Sequence, residues 1–182
     1  MIDFPLPVLG LAAFSGTGKT TLLRRLIPEL RQRGIRLAVV KHAHHDFDTD
    51  KPGKDSYELR KAGAVQTLVA SRRRWALITE VKAAREPQLV ELLARLDIEA
   101  LDLVLVEGFK RAPIPKIELH RKSMAKPLLF LSDPNIIAIA CDELALPGPA
   151  RLPVLDIDRP AQIADFVEGR MLGREPKAEH GR

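Results

Sequence analysis

A three-layer α/β fold, with a mixed, mostly parallel sheet and antiparallel additions, follows from three features of this 182-residue sequence. The first is a short apolar run at residues 8–14, VLGLAAF, followed by a glycine-rich turn. It is too short for a helix and reads as a buried strand. The second is the stretch that comes next. Leu22, Leu23, Leu26, Ile27 and Leu30 recur at helical spacing within 20–33, and RLAVVK at 36–41 is a second apolar run. Strand, crossover helix and strand make a βαβ unit, hence a parallel pair. The third is residues 101–106, LDLVLV, with five apolar residues in six. That is the composition of a central strand covered on both faces.

The other elements follow in order. Gly34 terminates the first helix, and Pro28 inside it should produce a kink, because proline lacks the amide donor. Residues 42–54 form a polar loop, HAHHDFDTDKPGK. Residues 55–62 read as a short helix with Asp55 or Ser56 as N-cap and Gly63 as its stop. Residues 64–70 and 75–81 read as two strands of a hairpin around the basic turn SRRR. Residues 87–96 are helical. Short strands are expected at 116–120, 128–131, 136–141 and 153–156, and a closing amphipathic helix at 161–172. The expected organisation is a single nucleotide-binding domain over 1–172 and a flexible, charged tail over 173–182.

Composition narrows the class. With 46% hydrophobic and 29% charged residues the chain is an ordinary globular one. No run approaches the ~18 apolar residues of a membrane-spanning helix, so no membrane partner is expected. The first residues, MIDFPLPVLGLAAFSG, lack a basic leader and are not expected to be a signal peptide. The single cysteine, Cys141, cannot form an intrachain disulfide, which suits a reducing, cytoplasmic setting. The net charge of +5 favours anionic partners. With aromatics at 4% and no known binding motif, nucleic acid is not among them.

The chemistry is concentrated in the run AFSGTGKT at 13–20, between the first strand and the first helix. The phosphate-loop pattern is G-x-x-x-x-G-K-[ST]. Gly18, Lys19 and Thr20 fit it, Gly16 adds a flexible position, and Ala13 departs from the first glycine. Backbone N–H groups there can wrap an anion, aided by the helix N-terminus. Ser15, Gly16, Thr17, Gly18, Lys19, Thr20 and Thr21 are therefore candidate phosphate binders. Lys19 would reach the β- and γ-phosphates, and the Thr20 hydroxyl would ligate Mg2+. The fold class thereby becomes P-loop NTPase-like. Ligands of open α/β sheets lie beyond the C-terminal strand ends. Glu107 ends the central strand there and is a candidate magnesium or catalytic-water residue, whereas Asp102 lies at the wrong end. The 42–54 loop leaves two chemistries open. His42, His44 and His45 could hold a transition metal, or Lys41, Lys51 and Lys54 could contact anions with Asp46 or Asp48 near magnesium. Asp142, after the strand at 136–141, is a candidate for reading guanine through its N1–H and N2–H2 donors. A strand-ending aspartate is also a common turn former.

Five stretches together resemble the MobB family of molybdopterin-guanine dinucleotide biosynthesis adapter proteins. They are AFSGTGKTTLLRRLIPELRQRGI, VKHAHHDFDTDKPGKDSYELRKAGA, RRWALITE, LDLVLVEGFK and IIAIACDE. The resemblance runs from about Val8 to Met171. It implies GTP binding with Mg2+, slow hydrolysis and a homodimer. It also implies a partner, the guanylyltransferase that joins GMP to molybdopterin, and it brings molybdopterin or its guanine dinucleotide into view as a ligand. By motif, residues 16–21 would bind phosphates, Glu107 would hold the acidic position after the central strand, and His42 to Lys54 would form the family's signature loop. The alternative is a P-loop small-molecule kinase, for which Arg72–Arg74 would be lid arginines.

Overall fold

The computed structural model describes residues 2–43, 47–81, 85–143 and 152–174. In chain order the regular elements begin with β1 (Val8–Ala12), α1 (Lys19–Gln32), β2 (Leu37–Lys41) and α2 (Asp55–Lys61). Next come β3 (Gln66–Ala70), β4 (Trp75–Thr79), α3 (Leu89–Leu93) and β5 (Leu103–Glu107). The last are β6 (Lys116–His120), β7 (Ile136–Cys141), β8 (Val154–Asp156) and α4 (Pro160–Leu172). They fall into two compact units, residues 43–87 and the remainder.

In the larger unit six strands pair in the order β2-β5-β1-β6-β7-β8, and every pairing is parallel. Alternation along the strands separates two cores. Leu9, Leu11, Leu103, Leu105, Ile117 and Leu119 face one side and pack with Leu22, Leu26 and Leu30 of α1 and Ile163 and Val167 of α4. Val8, Val40, Val104 and Val106 face the other, against Leu89 and Leu93 of α3. Both faces of β5 are thus covered, which is why its sequence shows no polar alternation. Each such aliphatic side chain contributes about 1.5–3 kcal/mol by burial. The chain crosses from β5 past β1 to β6, so β1 marks the point where strand order reverses, beyond whose C-terminal end ligands of open α/β sheets bind.

The α/β class and three layers agree with the sequence, with three corrections of detail. The antiparallel pair β3–β4 is a separate two-stranded sheet within the smaller unit. Residues 128–131 are no strand. Leu129–Leu131 is a 3-10 turn, because Glu118 accepts the N–H groups of Leu129 and Phe130 at 2.7 and 2.8 Å and removes them from any ladder. The N-cap of α2 is Lys54, while Ser56 Oγ donates to Asp50 at 3.1 Å. Pro28 is accommodated within α1. It lies on the exposed face, where the Arg24 carbonyl it leaves without a helical donor can meet water. Of the expected tail, Gly173 adopts φ 63° as the C-cap of α4, and Arg174 N–H bonds to the Glu168 carbonyl. Residues 175–182 lie outside the described residues.

Candidate nucleotide site

The turn from β1 into α1 is built by glycine. Gly16 has φ 82° and Gly18 has φ 102°, values at which an L side chain is strained. Ala13 is not among the positive-φ residues and is 1% exposed in the core. This is why alanine serves at a position the motif gives to glycine. Thr17, also buried, closes the loop by donating from Oγ1 to the Phe14 carbonyl at 2.9 Å. The first turn of α1 carries no acidic residue and no side-chain cap, so its first N–H groups remain available to an anion. Lys19 Nζ donates to the carbonyls of Ala13 and Phe14 at 3.2 and 3.0 Å. Burial pushes its ammonium below the usual lysine range. Glu107 works against that shift, and Lys110 and Lys41 add to it.

Glu107 ends β5 in register with Leu11 on one side and Lys41 on the other. It is 8% exposed. Thr20 Oγ1 donates to its Oε1 at 3.5 Å, and Lys41 Nζ lies 3.6 Å from its Oε2. A hydroxyl and a carboxylate at this spacing are hard oxygen donors of the kind magnesium takes, so the pair fits that ion. The adjoining backbone is held rigidly. His42 N–H donates to the Glu107 carbonyl at 2.8 Å, and its ring stacks on Phe109 with centroids 5.0 Å apart. Gly108 has φ 100°, and a Cβ there would lie 2.8 Å from His42 Cβ. Only glycine fits.

A second wall of the loop comes from residues 121–126. Met124 Sδ lies 3.4 Å from Thr17 Oγ1, and Lys126 lies over the Phe14 ring. Asp142, beyond the end of β7, accepts the Lys122 N–H at 3.0 Å and pairs with Arg121 at 3.6 Å. The Lys122 N–H draws the Asp142 carboxyl below its usual range despite some burial, and Arg121 assists. Asp142 therefore anchors the segment that touches the phosphate loop.

The other candidates are distributed as follows. Lys19, Thr20, Glu107 and Lys41 come together, with His42 on the same backbone joint. Asp102, at the opposite end of β5, holds Arg36 through both oxygens at 2.9 and 3.1 Å. In the smaller unit Lys54 opens α2, and Asp48 and Asp50 are ion-paired to Arg60. Arg72–Arg74 form the hairpin turn, which Ser71 closes on Arg74. His44, His45 and Asp46 lie outside the described residues. Among the described residues no three His, Cys, Asp or Glu side chains could share a metal, and no helix is long and apolar enough to cross a membrane. Sequence reasoning assigned nothing to Phe109, Lys110 or Met124. The first two lie two and three positions after Glu107, which is a usable signal. Met124 contacts Thr17 across 107 positions, and nothing local marks it.

Comparison with known proteins gives a consistent result. The family model described as molybdopterin guanine dinucleotide synthesis protein B, MobB, matches residues 8–142. The chain is 53% identical over 163 residues to the Escherichia coli K12 molybdopterin-guanine dinucleotide biosynthesis adapter protein, covering 89% of this chain and 91% of that protein. It is 48% identical to the Haemophilus influenzae protein of the same name, covering 90% and 88%. Among solved structures, that of Bacillus subtilis MobB superposes with a TM-score of 0.70 at 26% identity, covering 93% of this chain and all of the other.

Proposed function

The chain belongs to the MobB family, and from that premise we propose that it is a GTP-binding adapter in molybdopterin guanine dinucleotide biosynthesis. One observation carries the nucleotide reading. The Thr20 hydroxyl and Glu107 carboxylate face each other at 3.5 Å beside Lys19, at the end of β1 where strand order reverses. The loop amides would wrap the phosphates, Lys19 would neutralise the β- and γ-phosphates, and Thr20 and Glu107 would hold Mg2+ directly or through water. Magnesium would shield charge between the phosphates, and Glu107 would orient a water for slow hydrolysis. Guanine would lie toward Asp142.

The partner would be the guanylyltransferase that attaches GMP to molybdopterin, in the cytoplasm, with molybdopterin or its dinucleotide as a further ligand. A homodimer is part of the same reading. The β3–β4 hairpin exposes Leu68, Trp75 and Leu77 at 63%, 69% and 48%, and a two-stranded sheet is marginal alone. A second copy of the chain would cover this surface. The adapter role is tested by reconstituting guanylyl transfer from purified guanylyltransferase, molybdopterin and GTP. The wild-type protein is expected to raise dinucleotide yield, and Lys19→Ala to lose most of that effect. Equal yields with and without the protein would refute the role.

A further inference from the structure

Glu107 lies beside Lys41 and bears electrostatically on Lys19. Lys41 Nζ is 3.6 Å from its Oε2, and Lys41, Lys110 and Glu107 all act electrostatically on Lys19. Among the described residues the charges acting on Lys19 are one carboxylate and two further ammonium groups, a positive balance that draws a polyanion. The lysines differ in how they are held. Lys19 is bonded to two loop carbonyls. The Lys41 side chain is 57% exposed, and its distance from Glu107 exceeds that of a hydrogen bond. The Lys41 ammonium faces solvent while the Glu107 side chain is 11% exposed, so the lysine is the partner free to exchange. An ammonium-to-phosphate hydrogen bond is stronger. The backbone around Lys41 is fixed by the parallel register with Glu107 and by the His42 N–H bond to the Glu107 carbonyl. Movement is therefore confined to one side chain, with no rearrangement of the sheet.

We propose that Lys41 senses the terminal phosphate: its ammonium leaves Glu107 for the γ-phosphate when a nucleoside triphosphate binds, and Glu107 with Thr20 would then be the pair to hold the accompanying magnesium. A diphosphate lacks the group that draws Lys41 away, so the Lys41–Glu107 pair persists. This inference rests on the nucleotide reading above and adds to it a residue that distinguishes triphosphate from diphosphate.

The test is calorimetric titration of the wild type, Lys41→Met, Lys41→Arg and Lys19→Ala with GDP and with the β,γ-imido analogue of GTP, in Mg2+. Lys41→Met is expected to lose about ten- to a hundredfold in affinity for the triphosphate analogue while GDP affinity holds within about twofold. Lys41→Arg should keep most of the preference, and Lys19→Ala should weaken both ligands. Equal losses for both ligands in Lys41→Met, or none, would overturn the role of Lys41 while leaving nucleotide binding intact. Failure of the wild type to bind either ligand would overturn the nucleotide reading itself, and this inference with it.

Discussion

At residue 142 a carboxylate already holds the Lys122 N–H and the Arg121 guanidinium, and a guanine contact there would depend on the acceptor capacity left over. In Asp142→Asn the amide oxygen can keep Lys122, but the NH2 group meets donors from both Arg121 and guanine N2. GTP affinity should fall about 5- to 150-fold, the effect of a donor mismatch of about 1–3 kcal/mol once the base covers the pair. Xanthine has a carbonyl where guanine has its N2 amine, so XTP should gain on GTP in direct competition. An equal change for both nucleotides would leave Asp142 as the anchor of the 121–126 segment alone. At the level of single residues the candidate site is most legible where it is local in sequence. The glycines, Lys19 and Thr20 lie within five positions of one another. Glu107 is marked by its place at the end of an apolar strand, and Asp102 lies at the other end, where it binds Arg36. Met124 was illegible, since only the tertiary fold brings it to Thr17.

Among the elements, the junction of β2 and β5 sets the position of Glu107. Gly108→Ala would place a methyl 2.8 Å from His42 Cβ and 3.0 Å from its carbonyl oxygen, on a residue with φ 100°. The expected cost is about 2–4 kcal/mol of unfolding free energy in urea, from strain and forced displacement, with weakened magnesium-dependent nucleotide binding. A variant as stable as the wild type would mean that this junction yields readily. At the other end of the same strands, the Arg36 side chain, then its backbone N–H, lowers the Asp102 carboxyl from 3.8 to about 2. A depressed folded value means that the pair stabilises above 3.8 and that this contribution is lost as pH falls toward 2. Asp102→Asn should therefore melt slightly earlier than the wild type at neutral pH, and the gap should close across that acidic window. The effect is small because solvent screens the pair. A gap independent of pH would point to lost hydrogen bonding instead of charge. Element type was readable from periodicity, and β6 and β7 fell at their expected bounds. Residues 128–131 failed because an apolar run says nothing of whether its amides are claimed, here by Glu118, ten or more positions earlier. The cap of α2 failed because Ser56 is engaged by Asp50.

For the whole molecule, the sequence identified both hairpin strands and the parallel core but joined them in one sheet. Strand pairing across a chain is fixed by packing, and apolar alternation does not encode which edge a hairpin joins. The Leu68–Leu77 cross-strand pair is exposed, and replacing both by serine should convert a dimer into a species of one 20.2 kDa chain in sedimentation equilibrium. A wild type that is itself monomeric would contradict the dimer. The central claim, that this molecule binds GTP with magnesium at the β1–α1 loop, is tested most directly by calorimetric titration of the wild type and Lys19→Ala with GTP, ATP and GMP, with and without Mg2+. The predicted result is one site per chain, GTP favoured over ATP and GMP, affinity raised by Mg2+, and a loss of about 10- to 150-fold in Lys19→Ala. GTP affinity unchanged in Lys19→Ala, or no GTP binding by the wild type, would contradict it.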